Sequence, residues 1–297
     1  MKAQTLSICL PGTACDKQCP YCVSKMTWAP PVDVKTWNWN LPKVSHFARM
    51  AQVTDVIITG KGEPSSQNEY LSLFYALSEF RDWPVVIQTN GKAWSENPKA
   101  LDGFTLMSDG KPQFNIISVS IDDPDQMQKY AGLWEKVNSC PVLTARITVM
   151  LTPEVCKLPF NDWVDLCKTH GIRGLSFREI TIPKDYVHTK QGAEVARWIQ
   201  GLDGNKVIMN WRNDFEAKFS PSPTLSERAL LTCLPEDPRI IRRLPYGAVI
   251  KDFDGISVTK FEYCIQDSSG EDDIRSLVYN QDGHLYTTWS SPASLIF

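Results

Sequence analysis

The sequence lacks the features of a membrane, secreted or nucleic-acid-binding protein. No apolar run is long enough to cross a bilayer, and the first ten residues lack the apolar core and cleavage site of a signal peptide. We therefore expect a cytoplasmic protein with no membrane partner. A formal net charge of −3 provides no overall attraction to phosphates, so nucleic acid is not supported as a partner.

The chain also has few histidines and no internal repeat or low-complexity tract. Only four histidines occur among 297 residues, whereas cysteine occurs nine times. An odd number of cysteines in a large chain argues against a disulfide framework. Three cysteines lie within eight residues and the other six are scattered. This spacing indicates a metal or cluster site together with ordinary core thiols.

Strand-like and helix-like segments alternate through the first two thirds of the chain. The strand candidates are Gln4–Leu10, Val53–Thr59, Val85–Thr89, Asn115–Ile121, Leu143–Leu151 and Leu175–Ile180. The helix candidates are Pro42–Ala51, Gln67–Phe80, Asp125–Asn138 and Asn161–His170. Six β-then-α units in series predict an α/β fold with parallel strands, either a partial or full barrel or an open sheet. In each case ligands bind at the carboxyl ends of the strands.

The pattern changes after about residue 184. It predicts, in chain order, a helix at Thr189–Gln200, a short strand at Val207–Trp211, and hairpin turns at Asp254-Gly255 and Asp282-Gly283. We therefore divide the chain into a core domain over residues 1–184 and a mixed α/β or β-hairpin appendage over residues 185–297. The appendage would close the barrel or contact the substrate.

Three cysteines follow the first predicted strand in the segment Cys15-Asp-Lys-Gln-Cys19-Pro-Tyr-Cys22. Three local thiolates match a four-iron cluster with one iron left open. A structural zinc ion normally has four protein ligands, and the nearest histidine, His46, falls in a predicted helix. A thioredoxin-like pair at Cys19 and Cys22 would leave Cys15 unexplained.

Turn-forming and polar residues follow the next three strands. The second strand ends in Thr59-Gly-Lys-Gly-Glu-Pro64, the third ends in Gln88-Thr-Asn-Gly91, and the fourth contains Ser118-Val-Ser120. Glycine allows the backbone to approach a ligand closely, and a carboxylate can accept hydrogen bonds from an ammonium group. Each segment alone is a common turn. Their succession at consecutive strand ends, after a cysteine triad, is the informative feature.

With these motifs the sequence resembles the radical S-adenosylmethionine (radical SAM) superfamily over roughly residues 4 to 182. Cys15, Cys19 and Cys22 meet its Cys-x3-Cys-x2-Cys signature. The resemblance implies a partial (β/α)6 barrel and one 4Fe-4S cluster, whose fourth iron chelates SAM. It further implies reductive cleavage of SAM to a 5′-deoxyadenosyl radical that abstracts a hydrogen from the substrate.

The resemblance also implies roles for residues around SAM. Tyr21 occupies the aromatic position whose backbone region meets the adenine. Gly62, Glu63 and Pro64 match the end of a Gly-Gly-Glu-Pro motif that binds the methionine amino group. Lys61 replaces the first glycine of that motif, which is tolerable if Lys61 points outward. Positions near the rest of the cofactor are Thr89, Asn90, Ser118, Ser120, Arg146 and either Arg178 or Glu179.

The leading hypothesis is a radical SAM oxidoreductase with an unidentified substrate, for which a small molecule is favoured. A flavodoxin or ferredoxin is the expected type of electron donor. One alternative is an activating enzyme that installs a glycyl radical on a partner protein. Another is a non-catalytic zinc or iron–sulfur binding protein. The sequence predicts no second cluster, because Cys233 and Cys264 have no closely spaced cysteine neighbours.

Overall fold

The computed structural model describes residues 2–71, 78–80, 82–105, 115–183, 189–219, 237, 239–244, 248–261, 273–289 and 291–297. The strands in these ranges are β1 Lys2–Leu10, β2 Asp55–Gly60, β3 Val85–Thr89, β4 Ile116–Ile121, β5 Thr144–Met150, β6 Gly174–Arg178, β7 Ile240–Arg243, β8 Val249–Phe253, β9 Ile256–Phe261, β10 Asp273–Tyr279 and β11 Leu285–Tyr286. They form one sheet in the order β11-β10-β1-β2-β3-β4-β5-β6-β9-β8-β7.

Strands β1 to β6 lie side by side in chain order, each parallel to the next. This confirms the predicted α/β fold and the six predicted strands, with ends that differ by at most a few residues. One face of these strands is apolar and packs against helices through residues such as Ile8, Ile58 and Ile147. The alternating positions on the opposite, inner face include Ser7, Ser118 and Thr148. The inner face is therefore polar enough to line a ligand site.

The helices in the described ranges lie mainly between the strands. They are α1 Val34–Met50, α2 Lys92–Glu96, α3 Asp102–Thr105, α4 Gln126–Lys129, α5 Ala131–Asn138, α6 Phe160–Thr169, α7 Lys190–Gln200 and α8 Lys206–Phe219. Residues 72–77 of the helix predicted over Gln67–Phe80 lie outside the described ranges, as do Cys233 and Cys264. No helix in the described part of the chain is long and apolar enough to span a membrane.

Two sequence predictions need correction. Helix α1 begins at Val34 rather than Pro42, because the Asp33 side chain caps it by accepting a hydrogen bond from the Thr36 N–H, and the helix continues through Pro42. The strand predicted at Val207–Trp211 is the start of α8. Its apolar residues follow a helical period, and Trp211, Phe215 and Phe219 pack with Phe160 and Phe177 in one aromatic cluster.

Residues after 184 add strands to both ends of the six-stranded array. β9 pairs in parallel with β6, and β10 pairs in parallel with β1. Both predicted hairpins are confirmed: β8 and β9 are antiparallel around Asp254-Gly255, and β10 and β11 are antiparallel around Asp282-Gly283. The division into a core and an appendage stays a prediction.

The β10–β11 turn holds the segment that follows the cysteine triad. Gly283 lies against the backbone of α1, where a Cβ atom would come within 2.3 Å of the Trp37 nitrogen. The Asn40 side chain donates a hydrogen bond to the Gly283 carbonyl at 2.9 Å. The Trp37 indole in turn donates to the Cys9 carbonyl at 3.0 Å, at the end of β1. The turn therefore braces α1 against the strand that leads into the triad.

Candidate active site

The cysteine triad occupies the loop that leaves the carboxyl end of β1. Cys15 is exposed, whereas Cys19 and Cys22 are half-buried, and all three thiols are free. The Cys22 N–H donates to the Cys19 carbonyl at 3.3 Å, which closes the turn between them. A short 3-10 helix at Val23–Lys25 begins directly after Cys22. The loop therefore directs three thiols toward the carboxyl-end side of the sheet.

A polar group lies beside each of the three thiols. Cys22 Sγ lies 2.9 Å from the Ser24 hydroxyl, and the Lys17 N–H approaches Cys15 Sγ at 3.5 Å. Burial, together with the nearby Asp122 carboxylate, raises the pKa of Cys19 to about 11. Burial also raises the pKa of Cys15. These pKa values refer to thiols without a bound metal, and a cationic ligand would favour their thiolate forms.

The loop after β2 fits closely against the cysteine loop. The Glu63 N–H donates to the Ala14 carbonyl at 2.8 Å. A Cβ atom on Gly62 would lie only 2.4 Å from that same carbonyl oxygen, so the contact requires glycine. Of the predicted Gly62-Glu63-Pro64 motif, the glycine thus brings the two loops together. Pro64 is buried and begins the 3-10 turn Pro64–Ser66.

The Glu63 carboxylate lies inside this site and is almost completely buried. Its Oε1 accepts hydrogen bonds from the Ser65 N–H at 2.9 Å, the Ser65 hydroxyl at 2.8 Å and the Thr89 hydroxyl. Its Oε2 accepts from the Asn90 N–H at 2.8 Å. Glu63 therefore ties the end of β2 to the end of β3. Its Oε2 accepts one of these hydrogen bonds and has a second lone pair that can accept another.

Strand ends β3 and β4 also hold the cysteine loop by polar contacts. Asn90 donates through Nδ2 to Asp16 at 2.6 Å, and Lys17 forms an ion pair with Asp122 at 3.0 Å. Asp16 and Lys17 both lie between the first two cysteines of the triad. Sequence reasoning did not identify either residue, because their partners lie more than 70 residues away along the chain.

Gln67 is a further residue that the sequence did not reveal. Its buried side-chain amide accepts a hydrogen bond from the Gly12 N–H at 2.9 Å and donates to the Gly12 carbonyl at 3.1 Å. This pair of bonds holds the chain where it leaves β1. No local pattern indicates such a contact, since the two residues are 55 positions apart.

The Tyr21 side chain extends from the cysteine loop toward helix α7. Its ring centroid is 5.8 Å from that of Trp198, which lies on α7. Burial raises the pKa of Tyr21, and the nearby Asp122 and Cys19 act in the same direction. Tyr21 is thus positioned at the edge of the site, beside Cys19 and the end of β4.

The resemblance tolerates Lys61 in place of a glycine if its side chain points outward, but the side chain points inward. Its ammonium group is turned toward the cysteine loop and donates a hydrogen bond to the Thr27 hydroxyl at 2.6 Å. Burial lowers the pKa of Lys61, while the nearby Cys9 and Cys22 act in the opposite direction. The side chain accommodates the departure from a Gly-Gly-Glu-Pro motif by extending to Thr27, which lies five residues after Cys22.

The candidates on β4 and β5 lie deeper along the strands. Ser118 pairs in register with Arg146, and Ser120 pairs with Thr148. The Ser118 hydroxyl lies 3.2 Å from that of Thr148, and the stem of Arg146 lies over Gly174 of β6. These side chains belong to the polar inner face of the sheet. Ser118 and Arg146 are thus neighbours across the β4–β5 pair.

Glu179 follows β6 and is buried among cations. Arg212, from α8, donates to Oε2, and the Lys260 ammonium lies 3.5 Å from Oε1. The neighbouring Arg178 guanidinium lies over the ring of Phe261 at 5.3 Å. Glu179 therefore joins β6, α8 and β9 by charge, a contact that serves packing whether or not it also meets a cofactor.

Comparisons with solved structures agree with this arrangement. The fold is similar to that of Streptococcus suis SuiB bound to S-adenosylmethionine, with a TM-score of 0.52, 13% identity and coverage of 96% of this chain. It is also similar to SuiB bound to the precursor peptide SuiA, with a TM-score of 0.51, 14% identity and the same coverage. The chain has the fold of SuiB. It spans only 60% and 59% of these two SuiB chains.

No protein-family model matches the sequence, and no curated protein matches it. The likeness therefore rests on strand order and geometry rather than on sequence, and the evidence for residue roles lies in the contacts within this chain. Within the described ranges, no three Cys, His, Asp or Glu side chains are arranged to hold a single metal ion. A four-iron cluster distributes its thiolate ligands over separate irons, so they need not converge on one point.

The donor set fits such a cluster on three observations. The three thiols are free, lie within electrostatic range of one another, and occupy the loop at the carboxyl end of the first strand. Thiolates are the ligands that iron–sulfur clusters take from proteins. Contacts of Asp16 and Lys17 with the ends of β3 and β4, and of Gly62 with Ala14, hold the loop in place. The fold therefore presents a preformed, sulfur-rich loop at the carboxyl end of β1.

Proposed function

We propose that this protein is a radical SAM enzyme that holds one 4Fe-4S cluster on Cys15, Cys19 and Cys22. The observation that carries the proposal is the position of the three free thiols, on one braced loop at the mouth of a radical SAM fold. When bound, the cluster supplies the electron that cleaves SAM to methionine and a 5′-deoxyadenosyl radical, which takes a hydrogen atom from the substrate.

The residues around the loop would bind and orient SAM. Glu63 Oε2 has one acceptor site beyond its bond to Asn90, and an ammonium group could occupy it. Tyr21 would meet the adenine from the side of Trp198. The polar inner face, with Ser118, Ser120 and Arg146, would contact the ribose or the carboxylate.

Thr89 and Glu179 are proposed for different roles. Thr89 already donates its hydroxyl to Glu63, so it acts on SAM through that carboxylate. Glu179 is paired with two cations and would have to exchange one of them to accept a ribose hydroxyl. We therefore propose Thr89 as a positioning residue, and Glu179 as a ribose contact that requires one of its two ion pairs to open.

The substrate is proposed only by class. A small organic molecule suits the polar inner face of the sheet, and the appendage would cover it. A peptide is the second candidate, since SuiB was crystallised with its precursor peptide SuiA. A flavodoxin or ferredoxin is proposed as the electron donor, because reduction of such clusters needs a low-potential partner.

The proposal is tested by anaerobic reconstitution with iron and sulfide. We expect about four irons per chain and formation of 5′-deoxyadenosine from SAM under reductant, measured by iron analysis and mass spectrometry. The Cys19→Ala variant should keep its circular dichroism spectrum but lose the cluster. The Cys140→Ser variant is the matched control, because Cys140 is a half-buried free thiol outside the loop.

Normal iron loading in Cys19→Ala would contradict the proposed ligand set. Full iron loading without any SAM cleavage would contradict the proposed reaction and favour a binding protein. Zinc as the only bound metal, with no SAM binding, would contradict both.

A further inference from the structure

Lys61 is the charged side chain whose position the proposed function does not explain. It occupies a position where the resemblance predicts glycine, and a lysine there could have extended into solvent at little cost. Instead it is half-buried and bonded to Thr27 at 2.6 Å. A cation kept away from water needs a compensating interaction. The position of its ammonium group therefore indicates a role in the site.

The contact with Thr27 connects Lys61 to the third cysteine. The Thr27 hydroxyl donates to the Val23 carbonyl at 3.2 Å, and the Thr27 N–H donates to the same carbonyl at 3.0 Å. Val23 follows Cys22 directly. The hydrogen bonds thus run from the Lys61 ammonium through Thr27 to the backbone beside the Cys22 thiol. The ammonium group is held at a fixed place relative to that thiol.

The surroundings of Lys61 contain sulfur rather than a carboxylate partner. Cys9 and Cys22 are the groups whose negative charge would stabilise its ammonium form. Cys9 is completely buried on β1, and its pKa is raised to about 12, so it carries no charge near neutral pH. Among the described residues, no salt bridge to Lys61 is formed. Of the two sulfur atoms, Cys22 is therefore the one on which the positive charge of Lys61 acts.

We infer that Lys61 tunes the iron–sulfur cluster by placing a fixed positive charge beside its Cys22 ligand. This inference rests on the proposed function, because it requires a cluster on the triad. A nearby cation stabilises the reduced form of a cluster, which has one more negative charge, and so raises its reduction potential. Burial strengthens the effect because the surrounding dielectric is lower than that of water.

The test is a redox titration of the reconstituted protein with dithionite as the electron source, followed by low-temperature electron paramagnetic resonance. Lys61→Met keeps the length of the side chain and removes its charge, so the midpoint potential should shift to a more negative value. Lys61→Gln should shift in the same direction while keeping a donor for Thr27. Lys61→Arg keeps the charge and should stay close to the wild-type potential.

Lys2→Met is the matched control, since it removes the same charge from the exposed, opposite end of β1. Its potential should equal that of the wild type. A wild-type potential in a fully loaded Lys61→Met or Lys61→Gln protein would overturn the inference. An equal shift in Lys61→Arg would overturn it as well. Absence of a cluster signal from the wild type would instead contradict the proposed function.

Discussion

Replacement of Glu63 by alanine is expected to destabilise the protein even when no cofactor is bound. Glu63 accepts hydrogen bonds from two backbone N–H groups, those of Ser65 and Asn90, and these donors cannot rotate away. Each buried donor left without a partner costs roughly 1 to 3 kcal/mol. The two together give a loss of about 2 to 6 kcal/mol in the free energy of unfolding. The hydroxyls of Ser65 and Thr89 can turn to other acceptors and add less.

The measurement is thermal unfolding of the apoprotein, followed by circular dichroism. An unfolding entropy of about 2.1 cal/mol/K per residue gives roughly 0.6 kcal/mol/K for a chain of this length, so the expected decrease in Tm is about 3 to 10 °C. Glu154→Ala is the matched control, because its carboxylate is exposed and makes only a surface ion pair with Lys157. That pair is worth at most about 1 kcal/mol, or under about 2 °C.

A Tm for Glu63→Ala within the range of the Glu154→Ala control would refute this reasoning. It would mean that the four hydrogen bonds are replaced by water at no cost. The result also decides how activity data are interpreted. If the apoprotein is destabilised as expected, a loss of activity in Glu63→Ala cannot be assigned to a missing contact with SAM until folding has been checked.

Two further predictions concern thiol reactivity and the β10–β11 turn. In native apoprotein at pH 8, iodoacetamide should alkylate the exposed Cys15 well before the buried Cys167. Burial raises the pKa of Cys167 to about 12, so its thiol stays protonated at pH 8. Mass spectrometry measures the order, and modification of Cys167 as early as Cys15 would contradict the prediction. Gly283→Ala should lower Tm by more than Gly255→Ala. Both glycines have positive φ, 78° for Gly283 and 88° for Gly255. A Cβ atom on Gly283 would lie 2.3 Å from the Trp37 backbone, whereas one on Gly255 would meet nothing within 4 Å. Equal decreases in Tm for the two variants would argue against close packing of the turn on α1.

The parallel strands were predictable because their residues signal them locally. Segments such as Val85–Thr89 and Leu143–Leu151 are apolar, β-branched and bounded by turn residues, and β3 and β5 lie there. The sequence predicts a helix start at Pro42, whereas α1 begins at Val34 because its cap, Asp33, lies further upstream. Val207–Trp211 resembles a strand because five residues are too few to separate the period of a strand from that of a helix. The 14 residues of α8 would have separated them.

The grouping of the three cysteines could be predicted from the sequence, whereas most of the contacts that hold their loop could not. Spacing alone identified Cys15, Cys19 and Cys22 as one group. The residues that hold their loop, namely Asp16, Lys17 and Gln67, act through partners far along the chain. Such contacts depend on which strand ends become neighbours, and one sequence does not give that information. The inward turn of Lys61 likewise depends on the space left beneath the loop.

The parallel pairing of β1 with β10 has a consequence for biosynthesis. Thr5 contacts residues of β10 that are 270 and 271 positions later in the chain. At a synthesis rate of about 5 to 20 residues per second, β1 waits roughly 13 to 54 seconds on the ribosome before that neighbour exists. During this interval the strand that leads into the triad has an unpaired edge, which invites association with other chains. Insertion of the cluster proposed on the triad is then best timed after release of the full chain, when β10 has covered that edge.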